Sequence, residues 1–213
     1  MTQVLKNLVG LLSLETIEQD LFRGSSQDLG FRQLFGGQVL GQSLSAASQT
    51  VGDGRLVHSL HGYFLRPGDA GLPVVYQVER VRDGGSFSTR RVTAIQKGKT
   101  IFTCAASFQG IEEGFHHQAQ MPEVPGPETL RSETVLARLV ADKLPERLRE
   151  RAVHDKPIDI RPVSLNNPFD PKPADPVKHV WFRADGALPD NPALHQYLLA
   201  YASDFGLLTT SML

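Results

Sequence analysis

The sequence predicts an α+β fold in which a slim helix is followed by antiparallel β-sheet, with the scheme begun a second time. Three observations carry that reading. Residues 57–109 fall into segments of period-two character separated by short Gly-bearing turns. Gln38 to Thr50, just before them, shows no strict alternation and is long for a strand. Leu40, Gln42, Leu44 and Ala46 recur as Leu194, Gln196, Leu198 and Ala200, at an offset of 154.

The first helix opens after Gly36-Gly37 and places Val39, Leu40, Leu44 and Ala47 on one side, with small residues such as Gly41, Ser43, Ser45 and Ser48 elsewhere. Glycine inside a helix costs about 0.8–1 kcal/mol relative to alanine, so Gly41 predicts close approach by another backbone, assigned here to a sheet curled around the helix. Four strands are expected to follow as a meander: Val57 to Arg66, Val74 to Val81, Phe87 to Gln96 and Thr100 to Gln109, the later ones joined at Arg82 to Ser86 and Gln96 to Lys99 by hairpin turns. Twelve of the fourteen prolines lie between Pro122 and Pro192, where connections and edge segments should replace a central sheet.

The expected division is residues 1–110, a proline-rich connection over 111–154 with a short helix at Ser132 to Arg151, and a second unit over 155–213. Strands are expected at Ile158 to Leu165 and His179 to Arg183, then a helix from Pro192, at its first position, to about Leu208. The offset of 154 carries a second meander about 50 residues past Leu213, so the second unit is expected to be incomplete, ending after its helix. The apolar stripe of that helix, with Leu194, Leu198, Tyr201 and Phe205, should then lie uncovered and favour self-association.

Composition excludes several classes. With 22 Lys+Arg against 23 Asp+Glu, the chain lacks the basic excess of a nucleic-acid binder. No apolar run approaches the roughly 18–20 residues of a bilayer span, and Met1 to Leu14 lacks the core and cleavage site of a signal peptide. The single Cys104 cannot form an internal disulfide, which fits a reducing, cytoplasmic location. There is no G-x-S-x-G elbow. His58 and His61 should face opposite sides of a strand, and His116-His117 has no nearby Cys or paired carboxylates, so no metal site is expected.

Phe35-Gly36-Gly37-Gln38, His58-Ser59-Leu60-His61-Gly62-Tyr63-Phe64-Leu65-Arg66-Pro67-Gly68, Asp83-Gly84-Gly85-Ser86-Phe87, Asn166-Asn167-Pro168, Trp181-Phe182-Arg183-Ala184 and His195 to Asp204 together closely resemble the bacterial acyl-CoA thioesterase II (TesB-like) family. The resemblance runs from Leu5 to about Leu208. It implies two tandem hot-dog domains, each a long helix wrapped by antiparallel sheet, and hydrolysis of acyl-CoA thioesters to free acid and CoA. It implies no cofactor, acyl-CoA as the partner, and a homo-oligomer formed by hot-dog pairing. The family's constellation of Asp, Thr and Gln, which positions the attacking water, carries over here to Asp204 alone. A catalytically incomplete acyl-CoA-binding or assembly fragment is the alternative. A hot-dog hydratase or dehydratase ranks below both, because the characteristic His-with-carboxylate motif is not found.

Asp204 falls at the edge of the helix stripe, about 20° past Tyr197. Half-burial and a nearby helix C-terminus should both raise its pKa, as suits a water-orienting base. The start of the first helix, with Gly37 and Gln38, offers backbone donors for an oxyanion, although a tight-packing turn explains the glycines equally well. Eight Lys/Arg against three Asp/Glu between Arg55 and Lys99 mark Arg66, Arg90 and Arg91, with Lys97 and Lys99, as a landing surface for CoA phosphates or as solvated strand charges. His58 is a pocket-lining or structural residue, and Cys104 a buried small hydrophobe.

Overall fold

The computed structural model describes residues 1–30, 33–165, 173–207 and 210; Asn166-Asn167-Pro168 and Leu208 lie outside the described residues. The chain divides into two compact units, Asn7–Gly114 with Pro189–Asp204, and Met1–Lys6 with Phe115–Leu188 and Phe205–Leu213. The N-terminal segment forms α1, Gln3–Leu12, and a short ribbon of β1, Glu15–Glu18, and β2, Leu21–Gly24. Neither was anticipated from the pattern. The ribbon turns at Asp20, whose φ of 59° is tolerated by a short polar side chain.

α2, Gly36–Ser48, starts two residues earlier than expected, and β3, Arg55–Phe64, β4, Val74–Asp83, β5, Phe87–Gln96, and β6, Lys99–Gly110, follow. Lys97 and Gly98 both have positive φ, 50° and 69°, the backbone of a tight two-residue hairpin turn between β5 and β6. The antiparallel sheet has the order β1-β2-β4-β5-β6-β3. β3 therefore does not neighbour β4, as a meander in chain order requires. Residues 65–73, with Pro67 and Pro73, are too long for a hairpin and carry the chain across, leaving β3 at the edge beside β6.

Alternation decides which face of the sheet is covered. Tyr76, Val78, Val92, Ala94, Phe102, Cys104, Ala106 and Phe108 form a buried layer with Val39, Leu44, Ala46 and Ala47 of α2. Each large apolar side chain so buried contributes about 1.5–3 kcal/mol. Burial extends almost all round α2, because a second helix, α5, Pro192–Ala202, packs on it. The close approach expected at Gly41 is present but comes from this helix. A Cβ at Gly41 would stand 3.1 Å from the Tyr197 carbonyl oxygen, and one at Gly37 would overlap that of Tyr201. Leu194, Leu198, Tyr201 and Ala202 are buried, so the apolar stripe expected to be uncovered is covered by α2. α5 also stops short of the expected Leu208, with Ser203 as its C-cap.

In the other unit, the helix expected over Ser132 to Arg151 is two helices, α3, Glu133–Leu139, and α4, Glu146–Val153. Pro145 cannot continue a helix and disfavours helical backbone at Leu144, so the chain restarts there. β7, Ile158–Pro162, and β8, Val180–Ala184, form an antiparallel pair. No helix among the described residues is long and apolar enough to cross a membrane.

A carboxylate at the start of a buried helix

The first N–H groups of a helix lack internal partners, and Phe35, the N-cap of α2, has no side-chain acceptor to offer. The acceptor comes from 167 residues away. Asp204, two residues past the end of α5, takes the Gly37 N–H on its Oδ2 at 3.0 Å. The two glycines serve different ends. A Cβ at Gly36 would lie 2.7 Å from Asp204 Oδ2 and 2.9 Å from Phe64 Cζ, so Gly36 makes room for carboxylate and ring together. Gly37 lets α5 reach α2.

Asp204 opens onto a cavity of about 410 Å³ walled by Leu34, Val39, Phe64, Ile101 and Phe102. The Phe64 and Phe102 ring centroids are 4.8 Å apart, and Gly62 allows this, since a Cβ there would stand 2.5 Å from the Phe102 ring. Among the described residues, Arg66 is the other charged residue of the wall, its Nη1 held by the Thr100 carbonyl at 2.7 Å. Burial raises the Asp204 carboxyl above its usual pKa of 3.8, and the Gly37 N–H partly offsets this by favouring the anion. The direction matches expectation, with burial as its cause. A basic carboxylate beside an apolar cavity can hold and deprotonate a water.

The other marked residues are placed elsewhere. The helix start does supply a backbone donor at Gly37, but to the carboxylate, and the Gln38 amide is turned to Phe35 O, so neither serves an oxyanion in this arrangement. The Gln38 side chain is buried in a polar network, donating to Ser25 O and Gln42 and accepting from the Gln27 N–H. His58 bonds Ser107 Oγ at 2.9 Å and meets the edge of Phe87, outside the cavity wall.

Arg90 corrects the landing-surface reading. It is 1% exposed, and its guanidinium donates to Thr50 Oγ1, Thr50 O, Arg82 O, Thr89 O and Asp83 Oδ1, which engages every nitrogen in the fold. Arg91 is exposed and pairs with Glu79 at 2.9 Å. Cys104 is buried, its thiol pKa pushed up to about 12. Pattern reading missed Phe64, Phe102 and Gly36 as site residues. All three lay within segments already singled out, but nothing in their spacing signals that they converge.

A helix covered by antiparallel sheet is the architecture of a hot-dog protein, here with a carboxylate at the helix N-terminus beside an apolar cavity. Residues 25–109 match the family model of the acyl-CoA thioesterase N-terminal domain, and residues 147–213 match the acyl-CoA thioesterase model. Acyl-CoA thioesterase 2 of Haemophilus influenzae is 46% identical over 212 residues, covering 100% of this chain and 74% of that protein. Human acyl-coenzyme A thioesterase 8 is 42% identical, with 95% of this chain and 66% of that protein covered. The crystal structure of acyl-CoA thioesterase II TesB2 from Mycobacterium marinum superposes with a TM-score of 0.73 at 41% identity, covering 97% of this chain and 71% of that one. The chain belongs to the acyl-CoA thioesterase II family.

Proposed function

We propose that the chain hydrolyses acyl-CoA thioesters to the free acid and CoA, with Asp204 as the group that positions and deprotonates the attacking water. The observation that carries this is the half-buried Asp204 carboxylate, anchored on the Gly37 N–H at the mouth of an apolar cavity. The water oxygen adds to the thioester carbonyl carbon while Asp204 accepts a water proton. The tetrahedral oxyanion then collapses, the carbon–sulfur bond breaks, and the proton passes to the departing CoA thiolate. A thiolate leaves readily, so a strongly activated nucleophile is not needed.

The cavity wall of Leu34, Val39, Phe64, Ile101 and Phe102 suits an acyl chain, and Arg66, with guanidinium donors beyond the one bound to Thr100, suits a CoA phosphate. Of the Asp, Thr and Gln that the resemblance implies, residues of this chain supply Asp204. The same reading takes residues 1–110 and 155–213 as the two hot-dog units joined by 111–154, and the protein as a cytoplasmic homo-oligomer. The test is thiol release from a long-chain acyl-CoA, followed with a thiol-reactive dye; the buried Cys104 should not consume the dye in the folded protein. Asp204→Asn should retain the Gly37 contact and reduce turnover by about 10²-fold or more. Wild-type rates from that variant would remove Asp204 from the mechanism.

A further inference from the structure

α5 meets β3 through a side chain that does the work of a neighbouring strand. Gln196 Nε2 donates to Val57 O at 2.8 Å, and Gln196 Oε1 accepts from Val57 N at 3.3 Å. Both backbone groups of one residue on the outer strand are thereby closed by one amide, next to the point between Val57 and Ser59 where the β3–β6 register shifts. A primary amide presents a donor and an acceptor side by side, as a peptide group of an adjacent strand would. The matching Gln42 of α2 also binds neighbouring backbone, donating to Leu11 O and Ser25 O.

The two elements joined at this clamp converge again at the site. β3 ends in Phe64, α5 is followed by Asp204, and both side chains meet at Gly36. Between α2 and α5, Gly37 and Gly41 face the Tyr201 and Tyr197 carbonyl oxygens with no space for a side chain, and Ser48 is hydrogen-bonded to Tyr197. The glycines set how near the helices come, the Ser48–Tyr197 bond ties α5 to α2, and the Gln196 amide ties it to β3. Sliding α5 by one residue moves its end by about 1.5 Å, enough to break the 3.0 Å bond between Gly37 and Asp204.

We propose that Gln196 is a positioning residue for Asp204: its amide clamp on Val57 fixes the register of α5 along β3, and with it the height at which the carboxylate meets the Gly37 N–H. This rests on the reading of Asp204 as the water-positioning group. The clamp also holds the carboxylate inside its apolar surroundings, where Arg66 is the other charged residue of the cavity wall among the described residues.

The test is Gln196→Met, which keeps length and bulk but removes the amide. The Gly37 amide resonance, followed from about pH 3 to pH 9, reports both the bond to Asp204 and that group's titration. In Gln196→Met the midpoint should fall toward that of an ordinary carboxylate, with the Gly37 proton moving upfield. kcat should drop by about 10²-fold, with KM changed by less than about twofold. Gln196→Glu, whose carboxylate cannot donate to Val57 O, should displace the resonance in the same way and serves if the methionine variant does not fold.

Thr50→Val weakens the fold at the other end of α2, by removing a partner of Arg90, and should move neither readout. An unchanged Gly37 midpoint in both Gln196 variants overturns the proposal. Asp204→Asn separates the two ideas. If that variant turns over normally, the assignment of Asp204 fails while the Gly37 resonance still decides the register. If it is inactive and the Gln196 variants leave Gly37 unmoved, only the clamp fails.

Discussion

Replacing Gly37 by alanine and Gly10 by alanine makes the same chemical change in two helices, and the structure requires opposite outcomes. A Cβ on Gly10, in α1, meets nothing within 4 Å. Gly10→Ala should therefore keep the intrinsic helix gain of about 0.8–1 kcal/mol. At Gly37 the same methyl would overlap the Tyr201 carbonyl oxygen and crowd the Phe35 ring, and backbone cannot rotate aside as a side chain can. Overpacking of this kind costs about 1–3 kcal/mol, which outweighs the propensity gain and leaves a net loss near 1 kcal/mol. The two variants should then differ by about 2 kcal/mol, or about 4–8 °C in Tm at this chain length.

Activity adds a second readout. Parting α5 from α2 by about 1 Å stretches the bond from Gly37 to Asp204 beyond hydrogen-bonding distance, which should lower kcat by about 10²-fold, whereas Gly10→Ala should leave kcat unchanged. Thermal unfolding by circular dichroism and the thiol-release assay measure the two effects. A Gly37→Ala protein as stable as Gly10→Ala, with normal kcat, would refute the idea that backbone contact between the helices sets the site.

Two further outcomes follow from burial. Because the folded pKa of Asp204 is raised, the folded state binds more protons than the unfolded one between 3.8 and that raised value, so stability falls as pH rises through this window. Asp204→Asn should therefore raise Tm at neutral pH, with the gain vanishing below about pH 3.8 in pH-dependent melting, while the wild-type acid limb of kcat/KM should sit above that of a free aspartate. Arg90→Met strands several partners in the fold and should lower stability to urea by about 2–4 kcal/mol, whereas Arg91→Ala, which breaks only an exposed pair, should stay within about 1 kcal/mol.

Local pattern carried much of this molecule. Period-two burial placed β3 to β6 within about two residues, and β5 with the bounds expected, because one face of the sheet must be apolar to cover α2. The Gln96 to Lys99 turn follows from Lys97-Gly98, which accepts positive φ. Asp204 stood out because the residues around it resemble the acyl-CoA thioesterase II family, and the direction of its pKa followed from half-burial beside the helix stripe. Arg90 shares its strand parity with Val92 and Ala94, yet the landing-surface reading grouped it with Arg91 because a guanidinium on the covered face needs partners that no local pattern shows. Only the tertiary structure shows that Thr50, Arg82, Thr89 and Asp83 satisfy the buried guanidinium.

What remained hidden depends on contacts between residues far apart in the chain. Small residues in α2 announced a close approach, but a glycine says only that something comes near, and the partner proved to be α5 and not the sheet. The position of β3 beside β6 likewise depends on how residues 65–73 cross, which no strand pattern contains. The sequence by itself determined that this chain has a small-residue helix, a two-faced sheet and a carboxylate at a helix end, because each follows from periodicity and residue type over a few turns or rungs. Only the tertiary structure decided that the carboxylate belongs to the start of the other helix, because the 3.0 Å bond from Gly37 to Asp204 spans 167 residues and exists only once two glycines have let the helices meet.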